Sequence, residues 1–365
     1  MPSAPTTFAS WLGHPVVQAP MAGGASRPEL AAAVCEAGGI GFLAAGYRTP
    51  EAMHEEIRRL RTLTGRPFGV NLFMPQPPGG PGSPLQAAVG AYRERLAAEF
   101  ARYGAEPGDT GRGGDDAYGA KLAVLLEDPV PLVSFTFGCP ERRVLADLAG
   151  AGSLTAVTVT SVAEALAAQE AGADLLCVQG AEAGGHQGTH RDDPAAGPGA
   201  GTGLLTLLQQ VREAVRLPLI AAGGLMRGGQ IAAVLAAGAV AAQLGTAFLA
   251  CPESGAHELH KQALTDPAFA RTELTRAFSG RPARGLVNRF TAEYGPHAPA
   301  AYPQVHHLTA PLRRAAAAAG DPHAMALWAG QGHRLARRLP AGELVGALAG
   351  ELEAARDALA IRRTV

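Results

Sequence analysis

The sequence predicts a (β/α)8 barrel, a TIM barrel, carrying a helical lid subdomain. Three observations carry that reading. Eight short apolar runs recur up to residue 245, and most are followed by an alanine-rich amphipathic stretch. Each run is too short for a helix and nearly continuous in apolar character, as strands buried on both faces are. The run ends fall near 20, 43, 72, 136, 159, 179, 222 and 245, and most gaps are 20 to 29 residues, the length of one βα unit. A doubly wound sheet would show a GxGxxG turn after its first strand, and Ala19-Pro-Met-Ala-Gly-Gly24 is not that motif.

In chain order the expected strands are 15–20, 39–44, 68–73, 130–136, 154–159, 174–179, 218–222 and 240–245. The helices between them carry their own punctuation. Ser26 reads as the N-cap of the first, with Pro28 near its first turn and Glu29 at the capping-box position. Thr49 and Ser161 open two more, and Gly228-Gly229 precedes another at Gln230. Gly38, Gly172 and Gly238 follow helix ends, where a left-handed residue stops a helix. Two connections are long. The first holds a Pro/Gly loop, a helical run 85–103 and a second Gly-rich loop, and after 253 the chain reads as helical to its end. The expected division is therefore barrel at 1–75 and 118–252, and helical lid or substrate subdomain at 76–117 and 253–365.

With 47% hydrophobic residues, 17% charged residues and a formal net charge of −1, the chain can bury a large core and shows no basic footprint for a polyanion. Nucleic acid is not an expected partner. No uninterrupted apolar stretch reaches membrane-spanning length, and the first residues show no signal-peptide pattern. Cys35, Cys139, Cys177 and Cys251 are widely spaced and read as reduced thiols of a cytoplasmic protein.

In such barrels chemistry belongs at the C-terminal strand ends. The seventh run ends in Gly223-Gly224 and the eighth in Gln243-Leu244-Gly245-Thr246. Glycines there free backbone N–H groups to face a phosphate, and Thr246 adds a hydroxyl. The sixth run leads into Gln179-Gly-Ala-Glu-Ala-Gly-Gly-His186, where glycines around one imidazole admit a planar ligand. His186 is the candidate catalytic group, able to polarise or deprotonate a carbon acid. His190 is a weaker candidate, and Glu182 reads as a loop partner. Gln18, Asn71, Gln179 and Gln243 place four amides at four strand ends, where a flavin pyrimidine edge or a neighbouring backbone would satisfy them. Pro20-Met21 forms an apolar shelf for a ring face.

Together with Gly69-Val-Asn-Leu-Phe73, Val133-Ser-Phe-Thr-Phe-Gly-Cys-Pro140, Phe278-Ser-Gly-Arg-Pro and Trp328-Ala-Gly-Gln-Gly332, these segments resemble the large bacterial class of the nitronate monooxygenases, formerly 2-nitropropane dioxygenases. The resemblance spans nearly the whole chain. It implies non-covalent FMN, held by Met21, Asn71, Gln179, Gly184, Gly223, Gly224, Gln243, Leu244, Gly245 and Thr246, with no metal. It also implies oxidation of alkyl nitronates, propionate 3-nitronate foremost, by O2 to a carbonyl compound and nitrite, in a monomer or homodimer. His186 is then either a base or an electrostatic partner of the nitronate anion. The alternatives are an FMN-dependent NAD(P)H enoyl-ACP or quinone reductase on the same barrel, and a non-catalytic flavin-binding barrel.

Overall fold

All eight expected strands form and pair in parallel: β1 (Val16–Gln18), β2 (Phe42–Ala44), β3 (Gly69–Phe73), β4 (Leu132–Thr136), β5 (Leu154–Val159), β6 (Leu175–Gln179), then, after a short hairpin strand β7 (Gly185–His186), β8 (Leu219–Ala222) and β9 (Ala241–Leu244). The computed structural model describes residues 8–76, 84–111, 114–193 and 201–361. The N-terminal residues and most of the Pro/Gly loop at 75–84 lie outside that set. The sheet order is β1-β9-β8-β6-β5-β4-β3-β2. Its two ends meet through Gln18 N donating to Ile40 O (2.9 Å) and Ile40 N to Val16 O (3.0 Å), which closes the barrel.

The lower barrel interior is filled by Val17, Phe42, Leu132, Ala156, Leu175, Ile220 and Ala241, one from each of seven strands, plugged by Phe8. The remaining strand, β3, contributes Gly69 there, and a Cβ on it would sit 2.2 Å from the Phe42 ring. A glycine is needed where that ring crosses. A second apolar layer joins the outer strand faces to the surrounding helices.

The caps follow the sequence with one exception. Thr49 accepts from Ala52 N and Ser161 from Glu164 N, and Gly38, Gly172 and Gly238 have φ of +88°, +96° and +99°. Ser26 does not cap the first helix (Pro28–Glu36), whose N-cap is Arg27. Its hydroxyl instead accepts from Met21 N and from Gln18 Nε2, both at 2.9 Å, and ties down the turn after β1.

A third apolar cluster unites the helices Pro84–Arg95 and Ala97–Tyr103 of the long insertion with Gln304–Ala318, through Tyr92, Phe100, Phe278, Phe290, Val305 and Leu308. Two features here depart from the expectation of a tail that is helical and all lid. Strands β10 (Thr272–Thr275) and β11 (Ala283–Leu286) pair antiparallel, and β11 also pairs with β7, so the tail grips the His186 loop as a three-stranded sheet. The last helix, Ala341–Ile361, puts Leu344, Val345, Leu348 and Leu352 into the barrel–helix core beside Gly228–Ala236 rather than into the lid cluster. Gly228 permits that approach, since a Cβ would lie 2.3 Å from Leu352 N. Among the described residues no helix is long and apolar enough to cross a membrane.

Candidate active site

A cavity of about 650 Å³ opens at the C-terminal ends of the barrel strands, within the ~300–1,000 Å³ common for ligand sites. Its wall brings together Met21, Asn71, Gln179, Gly184, His186, Gly223, Gly224, Gln243, Gly245 and Thr246. Leu244 is not on that wall. Strand alternation turns its side chain into the barrel–helix core, where it is 1% exposed.

The four amides part company. Gln18 is fully buried, its Nε2 donating to Ser26 Oγ and its Oε1 accepting from Phe42 N (2.9 Å), so it is a structural clamp away from the cavity. Gln179 spends its amide on the His186 loop, donating to His186 O (3.1 Å) and accepting from Gly188 N (2.7 Å). Asn71 Nδ2 donates to Ser134 Oγ (2.9 Å) and Thr136 Oγ1 (3.0 Å), and Gln243 Nε2 to Cys177 Sγ (3.2 Å). In these two, no donor reaches the carbonyl oxygen among the described residues.

At the glycine end, Gly223 (φ +128°) and Gly224 (φ +69°) turn sharply out of β8. Among the described residues, no hydrogen bond engages the N–H of Gly223, Gly224, Gly245 or Thr246. Thr246 Oγ1 accepts from Gly330 N (2.9 Å), which leaves its own hydrogen to donate elsewhere. Gly184 is packed so closely that a Cβ would lie 2.4 Å from Gly330 N. Glu182, given no catalytic role from sequence, binds Leu204 N through both carboxylate oxygens (3.0 and 2.9 Å). His190 donates from Nε2 to Thr158 O (3.0 Å), as a loop anchor.

His186 stands among rings: Phe137, Tyr302 and Trp328 lie at centroid distances of 5.8, 5.7 and 5.5 Å. Its Nε2 is buried with no hydrogen-bond partner among the described residues. Burial, then the charges of Arg281 and Arg313, push the imidazole from 6.5 down to about 3, so it is neutral at physiological pH. His260, whose Nε2 donates to Trp328 O (3.0 Å), is held down to about 4 mainly by burial. Groups with depressed folded pKa values leave the unfolded chain binding more protons below pH 6.5. Stability is therefore expected to fall as pH drops from about 6.5 towards 3. A melting-temperature series against pH should show a shallower fall for His186→Asn than for the parent.

Several cavity residues carried no role in the sequence reading. Tyr47 stacks on His306 (4.0 Å, 7°) and its hydroxyl meets that of Tyr302 (3.1 Å). Tyr47 and Phe137 are held at φ +66° and +74°, costly for side chains of this size. The insertion fixes Tyr47: its N donates to Asp116 Oδ1 (3.0 Å), and buried Lys121 joins Asp116 Oδ2 (2.7 Å) to Ala45 O (2.9 Å). Asp116→Ala strands that ammonium, so a loss of ~3 kcal/mol is expected in urea unfolding. Adding Lys121→Met to Asp116→Ala should restore part of it. Position was the available signal, because Tyr47, Phe73 and Phe137 all follow or end barrel strands.

Fold and cavity together define a (β/α)8-barrel enzyme working from its strand ends. The sequence profile described as nitronate monooxygenase matches residues 7–351, and the chain belongs to that family. Nitronate monooxygenase of Paraburkholderia phytofirmans is 43% identical over 352 residues, 94% of this chain and 93% of its own. That of Pseudomonas aeruginosa is 43% identical over 345 residues, 93% and 96% of the two chains. Among solved structures, nitroalkane oxidase from Streptomyces ansochromogenes superposes with a TM-score of 0.93 at 67% identity, covering 96% of this chain and 99% of its own. FabK from Thermotoga maritima reaches 0.72 at 27% identity over 97% and 96% of the two chains. The chain is an oxidoreductase of nitronate oxidation.

Proposed function

We propose that this enzyme is an FMN-dependent monooxygenase that oxidises an alkyl nitronate, propionate 3-nitronate foremost, with O2 to a carbonyl compound and nitrite. The observation that carries the reading is one cavity with two different ends. Among the described residues, one end offers four unengaged backbone N–H groups on Gly223, Gly224, Gly245 and Thr246, and the other a neutral imidazole with an unpartnered Nε2. Free N–H donors beside glycines that lack a Cβ suit a phosphate, so the residues present fit the nucleotide. Bound there, FMN would supply the electron acceptor for the nitronate and the centre that reacts with O2.

The chain's own residues then have distinct tasks. The glycine cradle and Thr246 hold the phosphate. Met21 would support the ring, and the amides of Asn71 and Gln243 would meet its polar edge, where a free carbonyl oxygen can accept from the ring N–H. Gln179 acts at one remove by locking the backbone of His186. A neutral His186 is unsuited to pair a nitronate by charge, so its role is to donate its ring N–H to a nitronate oxygen, or to accept at its unprotonated nitrogen the α-proton of a neutral nitroalkane. The aromatic wall excludes water around it. The enzyme acts in the cytoplasm, as a monomer or homodimer.

Mass spectrometry of the extracted cofactor should give FMN, and ethyl nitronate with O2 should release nitrite. Another nucleotide, or no nitrite, contradicts the proposal. The likeness to FabK favours a second reading, an NAD(P)H-dependent reductase, which would consume NADH or NADPH instead.

A further inference from the structure

Arg313 lines the same cavity, on the helix Gln304–Ala318. Its Nη2 donates to His306 O (3.0 Å) and lies 3.4 Å from His306 Nδ1, while its Nε is buried without a partner. Among the described residues no carboxylate pairs with it. The segments outside that set, 1–7, 77–83, 112–113, 194–200 and 362–365, contain no Asp or Glu. Its neighbour Arg314 also reaches the cavity rim but is exposed, and Arg281, behind Phe137, differs. Arg281 donates to Gln187 O, Gln76 Oε1 (3.0 Å) and Thr189 Oγ1 (3.2 Å), lies 4.2 Å over the Phe137 ring, and feels the charge of Asp192.

A half-buried guanidinium without a counter-charge is costly unless something completes it. Its planar fork matches a planar anion with two oxygens. We propose that Arg313 is the substrate-anion binding residue of this enzyme, taking a planar two-oxygen group of the substrate on the guanidinium N–H groups that the His306 contacts leave free. A nitronate and a carboxylate share that chemistry. The inference rests on the cavity being the substrate site, as proposed above.

The test compares the parent holoenzyme with Arg313→Met and Arg313→Lys on three substrates: neutral nitroethane, ethyl nitronate, and the dianionic nitronate of 3-nitropropionate. For Arg313→Met, KM should rise at least about tenfold for an anion, the worth of one charge-assisted contact, with KM for nitroethane nearly unchanged. A rise for both anions identifies the nitronate as the group held; a rise for the dianion alone identifies the carboxylate. Unchanged KM for both anions, or an equal rise for nitroethane, overturns the proposal. Should Arg313→Met fail to fold, Arg313→Lys decides: it keeps the charge but loses the fork, so about threefold weaker anion binding is expected and parental binding contradicts.

A readout without turnover separates this idea from the proposed reaction. Nitrate and propionate should quench or shift the fluorescence of Trp328, 5.5 Å from His186, in the parent and not in Arg313→Met. That result with no nitronate turnover in the parent would retain the anion site and discard the reaction. Equal responses in both proteins discard the anion site.

Discussion

His186→Asn is expected to keep its cofactor and lower kcat by about 10²- to 10⁴-fold, the range of a positioned acid–base group. The two functions are separable because the proposed phosphate cradle lies after β8 and β9, whereas His186 sits on β7 and is held by Gln179 and by pairing to Ala283. Asparagine removes the basic Nε2 without inserting bulk among Phe137, Tyr302 and Trp328. For the parent, kcat/KM with a preformed nitronate should be flat between about pH 5.5 and 8, because the imidazole stays neutral until about 3. A break near 6.5 would show a histidine that titrates normally and would return it to the role of charge partner. Loss of bound cofactor in His186→Asn would show that the loop, not the glycine cradle, holds the nucleotide.

Gly245→Ala is expected to weaken cofactor binding while sparing the fold. A Cβ at Gly245 meets Ala19 Cβ at 3.5 Å and Met21 Sδ at 3.8 Å, ordinary contacts, so the apoprotein should melt within about 2 °C of the parent apoprotein. The methyl narrows the slot between Met21 and Thr246, and cofactor affinity should fall by about tenfold or more, measured by titrating flavin into apoprotein. Gly184→Ala is the contrast, since its Cβ would meet backbone at 2.4 Å and the whole protein should lose stability. Equal flavin affinity in Gly245→Ala and the parent would move the phosphate elsewhere.

How much of this was legible in sequence depends on what each residue's signal is local to. The strands were legible because burial on both faces writes itself as a continuous apolar run, and the glycine pairs because strand ends in a barrel fix where they point. Gln18 and Asn71 looked alike, yet one is a clamp and the other faces the cavity, because each partner comes from another strand or loop: Ser26 and Phe42 for Gln18, Ser134 and Thr136 for Asn71. Leu244 was included with its neighbours in one motif, but alternation sends it to the opposite face. The strands β10 and β11 are short, and β11 contains Arg284 and Gly285, so neither periodicity nor propensity announces them. Arg313 sits in an alanine-rich helix with no local motif; that no carboxylate among the described residues pairs with it is visible only in three dimensions.

On the proposed function, this cavity brings a nitronate, not a reduced nicotinamide, to its cofactor. Anaerobic mixing of the purified holoenzyme with ethyl nitronate, and separately with NADH and NADPH, tests it most directly. Loss of the yellow flavin absorbance is predicted with the nitronate and not with either nicotinamide. Bleaching by NADH or NADPH with no response to the nitronate would contradict the account and establish a reductase.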